Sequence, residues 1–427
     1  MKQRSKKAAE EKLIIMKKLM IMGAGIYQVP LIRKAREMGI YTIAVSIPGD
    51  YPGFALADEV CLINTTDEEA VLSAAREKQI DGIVTVGTDV AVITIGRVCQ
   101  ELGLCGIPYE AAKICSDKSR MKQRFAEAGV RTAAFRKISL SERQEDIPEL
   151  IRDLSYPLIV KTVDSSGSRG ITRIDSAGEL PAAIESVKKV TRKNYYLIEE
   201  FITGTDFGAQ ALISHGELKF LLPHGNYQFR GDTGVPAGHY VPFEMEPDAL
   251  ADLEEQMHRA IRGIGLDNCA VNADLILRDG KTYIVEIAGR SGGTGLSELN
   301  SVYYGFDLYE QIIRLALDST GEGLHTGEGF PGADPSDEQP EFTPCACTLL
   351  RSSRTGRLIR QENRNTGEDP RLVEIVLDYK PGDMVKAFRV GPDRIGHAIT
   401  KGKTLADAED ALKIATENII LEVEEKP

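Results

Sequence analysis

From Leu19 to Val86 the chain alternates short apolar runs with helix-patterned segments, and this alternation restricts its architecture more than any other feature. Leu19-Met20-Ile21-Met22 ends in Gly23-Ala24-Gly25, Val29 to Met38 carries apolar residues at helical spacing, and Tyr41 to Ser46 is a second apolar run. Asp67 to Lys78 follows as a helix opened by Thr66, and Gly82 to Val86 as a third strand. Strand, helix, strand in this order implies a parallel sheet with helices on its faces, an open Rossmann-like layer.

The layer lacks a dinucleotide fingerprint. Gly23 and Gly25 have the spacing, but Gln28 stands at the third glycine position, and Val45-Ser46 offer no acid for a ribose hydroxyl. A turn that needs positive φ explains the glycines without a cofactor. A third reading has the layer form one wall of a small-substrate site, since ligands favour the carboxyl ends of parallel strands.

Size and charge limit the rest. A chain of 427 residues implies roughly two to four domains. The formal net charge of -12, with no cluster of Lys and Arg, argues against a nucleic-acid partner. Seven cysteines, an odd number without regular spacing, suggest a reducing compartment. Cys345 and Cys347 read as buried strand thiols, and no histidine pairs with a cysteine at zinc-ligand spacing. Leu13 to Met16, the apolar run of the leading segment, is too short for a signal peptide or a membrane span, so a cytoplasmic protein with no membrane partner is expected.

Chemistry-bearing residues concentrate in the middle. Ser116 or Asp117 caps a helix that runs to Gly129, and Lys118 sits in its first turn, where a cation opposes the helix dipole. Tyr156 to Lys161 forms an apolar strand ending in a lysine, followed by Asp164-Ser165-Ser166-Gly167-Ser168-Arg169-Gly170. Small residues let backbone N–H groups approach phosphate oxygens, although a Gly/Ser turn also serves a plain hairpin. It is not a Walker loop, because no Gly-Lys-Ser/Thr follows. Tyr195 to Ile202 ends an apolar strand in Glu199-Glu200. Val271 to Leu277 and Thr282 to Ile287 form a hairpin around Arg278-Asp279-Gly280-Lys281. Asp274 and Glu286 thus fall on neighbouring strands, where two carboxylates would repel unless they shared a cation such as Mg²⁺.

In this order and spacing the series resembles the ATP-grasp superfamily of carboxylate–amine ligases, among them D-alanine ligase, biotin carboxylase, carbamoyl phosphate synthetase and L-amino acid ligases, over about Lys17 to Leu421. The resemblance implies α/β and α+β architecture. Residues 1–16 would be a disordered tail, 17–112 a Rossmann-like pre-ATP-grasp domain, 113–318 a two-lobed ATP-grasp domain, 319–343 a linker and 344–427 a C-terminal α+β cap. It also assigns roles. Lys118 and Lys161 would reach ATP phosphates, and Ser165, Ser166, Gly167, Ser168, Arg169 and Gly170 would form the loop closing over them. Glu199 and Ile202 would hold adenine, Asp206 the ribose, Asp274 and Glu286 the magnesium, and Arg290 the reacting carboxylate or acyl phosphate.

The implied reaction joins a small carboxylate, with an L-amino acid the first expectation, to an amine with release of ADP and phosphate, using ATP and Mg²⁺ or Mn²⁺; a homodimer is the family habit. Bicarbonate activation and non-catalytic ATP binding are the alternatives. Ala288 departs from the family pattern, which has Asn there as a further metal ligand, so Asn272, Ser291 or water would have to replace it. Pro223 to Pro242, with His224, Arg230 and His239, is expected as a substrate loop, and Leu405 to Val423 as a terminal helix.

Overall fold

The computed structural model describes residues 16–164, 170–229, 235–317, 324 and 342–425. Expectations for the tail before Met16, for Ser165 to Arg169, for Arg230 and for most of the 319–343 linker therefore lie outside the described residues.

The amino-terminal layer is a four-stranded parallel sheet with Lys18–Met22 beside Tyr41–Ser46 and Gly82–Val84, and Glu59–Leu62 at one edge. Successive residues of its central strand bury on opposite faces. Met20 and Met22 pack with Val71, Leu72 and Ile95, whereas Leu19 and Ile21 pack with Leu31, Ile32 and Ile313. Burial on both faces explains why the strand reads as an unbroken apolar run. Gln28 closes the glycine turn: its Oε1 accepts from Gly25 N at 2.9 Å and its Nε2 donates to Val86 O at 2.6 Å. The Gly25 N–H is thereby already satisfied, which is the physical counterpart of the missing fingerprint.

Two further sheets flank a cleft. Phe135–Ser139, Tyr195–Glu200, Leu158–Lys161 and Ile171–Ile174 form an antiparallel sheet covered by the helix Leu180–Lys188. An eight-stranded sheet begins at the hairpin Lys281–Ala288 and Cys269–Arg278 and continues through Thr205–Ser214, Glu217–Gln228 and Pro236–Val241. It does not stop there. Cys345–Leu350, Gly396–Lys401 and Leu372–Leu377 extend the same antiparallel sheet, so the C-terminal strands share a hydrogen-bonded layer with the preceding lobe.

Two sequence readings are corrected here. Among its described residues the expected substrate loop over Pro223 to Pro242 is mostly strand, because its first arm pairs with Thr205–Ser214, its second with Cys345–Leu350, and the two with each other. The terminal helix ends at Glu417, and Ile419–Glu425 is a strand paired with Gly356–Asn363. Ile419-Ile420-Leu421-Glu422-Val423-Glu424 is β-branched and alternating, which favours a half-buried strand once an edge is available. Among the described residues no helix is long and apolar enough to cross a membrane.

Candidate active site

The helix Lys118–Ala128 starts behind Asp117, whose carboxylate accepts from Ser119 N at 3.0 Å and Arg120 N at 3.2 Å, and stops at Gly129 with φ 67°. Lys118 and Lys122, four residues apart, share one face of it and are both buried. Lys118 Nζ donates to Glu286 Oε1 at 2.8 Å. Burial works against the Lys118 ammonium, but Glu286 outweighs it and holds the group above the usual lysine range. The adverse helix dipole is offset by the same carboxylate.

Glu199 bridges two ammonium groups. Lys161 Nζ donates to Glu199 Oε1, and Lys122 Nζ lies 2.8 Å from Glu199 Oε2 while donating to Thr132 Oγ1 at 2.8 Å. Burial pushes the Lys122 ammonium down to about 8, against the pull of Glu199. Burial likewise raises the Glu199 carboxyl, yet the two lysines together keep it below the ordinary carboxylate range. Sequence reading missed Lys122; its only signal was its place one turn after Lys118.

Above this pair a cavity of about 180 Å³ opens between the lobes. Ile159, Ile171 and Ile202 come from one side and Ile276 and Val285 from the hairpin, with Lys161 and Glu199 at the wall. An apolar slot with a charged edge suits a flat heteroaromatic ring. Asp206 lies at the start of Thr205–Ser214, where its Oδ2 accepts from Asn226 Nδ2 at 2.8 Å and Gln228 Nε2 at 2.7 Å. A larger apolar groove of about 750 Å³, walled by Phe243, Tyr303, Tyr304 and Phe342, shares none of these residues.

On the hairpin, Asp274 stands directly opposite Glu286, and Asn272 directly opposite Ala288, which places all four on one face. The Asp274 carboxylate is open to the cleft but lies at its floor among protein atoms. Burial there, then the charge of Glu286, pushes its pKa up to about 7, with Arg290 opposing. This mutual repulsion between oxygen donors is what a hard divalent cation would relieve, so the residues present fit Mg²⁺. Of the candidates to replace the missing Asn, Ser291 is buried and its Oγ accepts from Ser297 Oγ at 3.2 Å, while Asn272 is half-buried, turns its Nδ2 to Asp274 Oδ1 at 3.4 Å and has its Oδ1 occupied by Gln210 Nε2 at 2.6 Å, which leaves water as the remaining donor.

A pH dependence follows from Asp274. Its folded pKa exceeds the unfolded value, so the folded chain binds the proton more tightly, and this group's contribution to stability falls as pH rises from the ordinary aspartate range to about 7. A cation bound there must displace that proton. Affinity for Mg²⁺–ATP is expected to weaken as pH falls below about 7, and Asp274→Asn to flatten the dependence. Titration calorimetry between about pH 5.5 and 8 checks this, and a pH-independent wild-type affinity would refute it.

Arg290 Nε donates to Asp89 Oδ1 at 2.7 Å, with a terminal nitrogen 2.6 Å from the same oxygen. Asp89 follows the strand Gly82–Val84, so the carboxyl end of the parallel layer meets Arg290. Gly170, the described end of the glycine-rich loop, has φ 67°, its carbonyl accepts from Thr162 N at 3.0 Å, and a Cβ there would lie 2.7 Å from Thr162 Cγ2. Only glycine fits such a turn.

Residues 115–294 match the ATP-grasp domain family, and residues 348–424 match the L-amino acid ligase C-terminal domain 2 family. The crystal structure of phosphoribosylglycinamide synthetase from Anaerococcus prevotii is similar over 96% of this chain and 100% of that one, at 30% identity and a TM-score of 0.79. This chain belongs to the ATP-grasp family. Another ATP-grasp relative is the alanine–anticapsin ligase of Bacillus subtilis, 23% identical over 57% of this chain and 56% of that protein, so the chain matches little more than half of that relative's length. The fold is also that of L-amino acid ligase from Bacillus licheniformis, with a TM-score of 0.75 at 18% identity over 96% and 99% of the two chains.

Proposed function

We propose that this ATP-grasp chain is an ATP-dependent ligase that activates a small carboxylate as an acyl phosphate for attack by an amine, releasing ADP and phosphate. One observation carries the reading. Asp274 and Glu286 face each other on the hairpin, with Lys118 Nζ 2.8 Å from Glu286 and the slot walled by Lys161 and Glu199 beside them.

In this reading the slot binds the adenine ring between Ile159, Ile171 and Ile202 on one side and Ile276 and Val285 on the other. Lys161, steered by Glu199, and Lys118, steered by Glu286, present positive charge to phosphate oxygens. Asp206 is placed for ribose hydroxyls. Asp274 and Glu286, with water in place of a donor from residue 288, would hold Mg²⁺, which when bound neutralises phosphate charge. Arg290, oriented by Asp89, stabilises charge on the carboxylate as its oxygen attacks. Preorganised charges in a cleft are sufficient, because phosphoryl transfer asks little covalent chemistry of the protein.

An L-amino acid as the carboxylate is favoured by the match of residues 348–424 to the L-amino acid ligase C-terminal domain 2 family. A second reading, formation of a phosphoribosylglycinamide, draws on the full-length likeness to the Anaerococcus protein. Phosphate release measured over pairs of amino acids, over glycine with a phosphoribosylamine, and with bicarbonate tests them together. ADP formation with an amino acid pair is the expected result. Tight ATP binding with no turnover in any arm would leave a binding protein, not a ligase.

A further inference from the structure

Away from the nucleotide slot, Glu298, Glu374 and His397 each offer one ligand atom, and these atoms all lie within 4.8 Å of one another. We infer that Glu298, Glu374 and His397 form a second divalent-cation site, for Zn²⁺ or Mn²⁺, that fastens the C-terminal strands to the helix following the Arg290 loop. The inference does not depend on the ligase reading.

The donor chemistry supports a metal. His397 Nε2 and Glu374 Oε1 are 2.9 Å apart. Without a cation the two share a hydrogen bond; ligands on a tetrahedral ion with bonds of about 2.0–2.2 Å would stand about 3.3–3.6 Å apart, a small widening of this contact. One imidazole with two carboxylates suits Zn²⁺ or Mn²⁺ better than Mg²⁺, which prefers oxygen alone.

Charge supports it independently. Arg394 is buried nearby, but Asp378 neutralises it through contacts of 2.8 and 3.4 Å. With a neutral imidazole, the two glutamates leave a formal charge of about -2, which a divalent cation cancels. Tyr309 donates its hydroxyl to Glu298 Oε1 at 2.7 Å, an outer-shell contact that orients this carboxylate. His397 is 2% exposed, and its Nδ1 has no hydrogen-bond partner among the described residues.

The three donors come from segments far apart in the chain. Glu298 lies in the first turn of the helix Leu296–Tyr304, which starts directly after the glycine-rich Ser291 to Gly295, while Glu374 and His397 lie on the paired strands Leu372–Leu377 and Gly396–Lys401. A cation here would tie those strands to the loop that carries Arg290.

The test uses the full chain stripped with a chelator and free of nucleotide, titrated with Zn²⁺ by calorimetry and with Mn²⁺ by electron paramagnetic resonance. One equivalent is expected to bind independently of Asp274 and Glu286 and to raise the melting temperature. His397→Ala and the more conservative Glu374→Gln should each weaken that binding at least tenfold and abolish the thermal shift, while Glu286→Gln should leave both unchanged. No binding of either ion to the stripped protein would overturn the inference. So would binding that survives both His397→Ala and Glu374→Gln but is lost with Glu286→Gln.

Discussion

Glu286→Gln is expected to lower turnover by on the order of 10²–10³, the scale of removing one preorganised transition-state charge, and to leave the melting temperature nearly unchanged. The amide keeps the size of the carboxylate and still offers an oxygen to Lys118 Nζ, now 2.8 Å away. What it removes is the negative charge opposite Asp274. With that repulsion relieved, the Asp274 pKa should fall below its wild-type position while burial, the larger cause, keeps it above the ordinary aspartate range, so the pH dependence of Mg²⁺–ATP binding should shift to lower pH rather than vanish. ADP formation and thermal melting, measured side by side, check the prediction. A large drop in melting temperature with the variant would show that Glu286 is there to compensate Lys118 and would remove it from the proposed metal site.

Lys122→Met should destabilise the protein by about 3 kcal/mol, in the range for removing one partner of a buried ion pair. Lys122 is 1% exposed and lies 2.8 Å from Glu199 Oε2, so a neutral side chain leaves that oxygen buried without its cation. Lys161 remains on the other oxygen, which keeps the loss from being larger. With one of its two counter-charges gone, Glu199 would attract a proton more readily and steer Lys161 less firmly, so ATP affinity should fall as well. Urea unfolding and ATP titration measure the two effects. Stability unchanged within about 0.5 kcal/mol, the usual scatter of surface substitutions, would mean that Lys122 does not carry the charge assigned to it.

The sequence by itself determined a good deal of this protein, for local physical reasons. The parallel layer followed from apolar runs separated by helical periodicity, since a strand buried on both faces cannot hide its composition. The placement of Asp274 and Glu286 on neighbouring strands followed from the short turn at Arg278 to Lys281, whereas their direct opposition rests on a register shift between Asp274 and Leu275 that the turn alone does not set. The helix at Lys118 was legible from its caps, Asp117 and Gly129.

Pairings between distant segments were decided only by the tertiary structure. Nothing near Asp89 in sequence marks it as the partner of Arg290, and nothing near Glu199 says that its second oxygen meets Lys122. Pro223 to Gln228 and Pro236–Val241 became strand because Thr205–Ser214 and Cys345–Leu350 supplied edges on both sides, and Ile419–Glu425 left the terminal helix because Gly356–Asn363 supplied another. Strand formation depends on a hydrogen-bonding partner that may lie a hundred residues away, whereas a helix satisfies its backbone within itself. The same dependence explains the Glu298, Glu374 and His397 cluster, whose members meet only because two C-terminal strands pack against a helix of the preceding lobe.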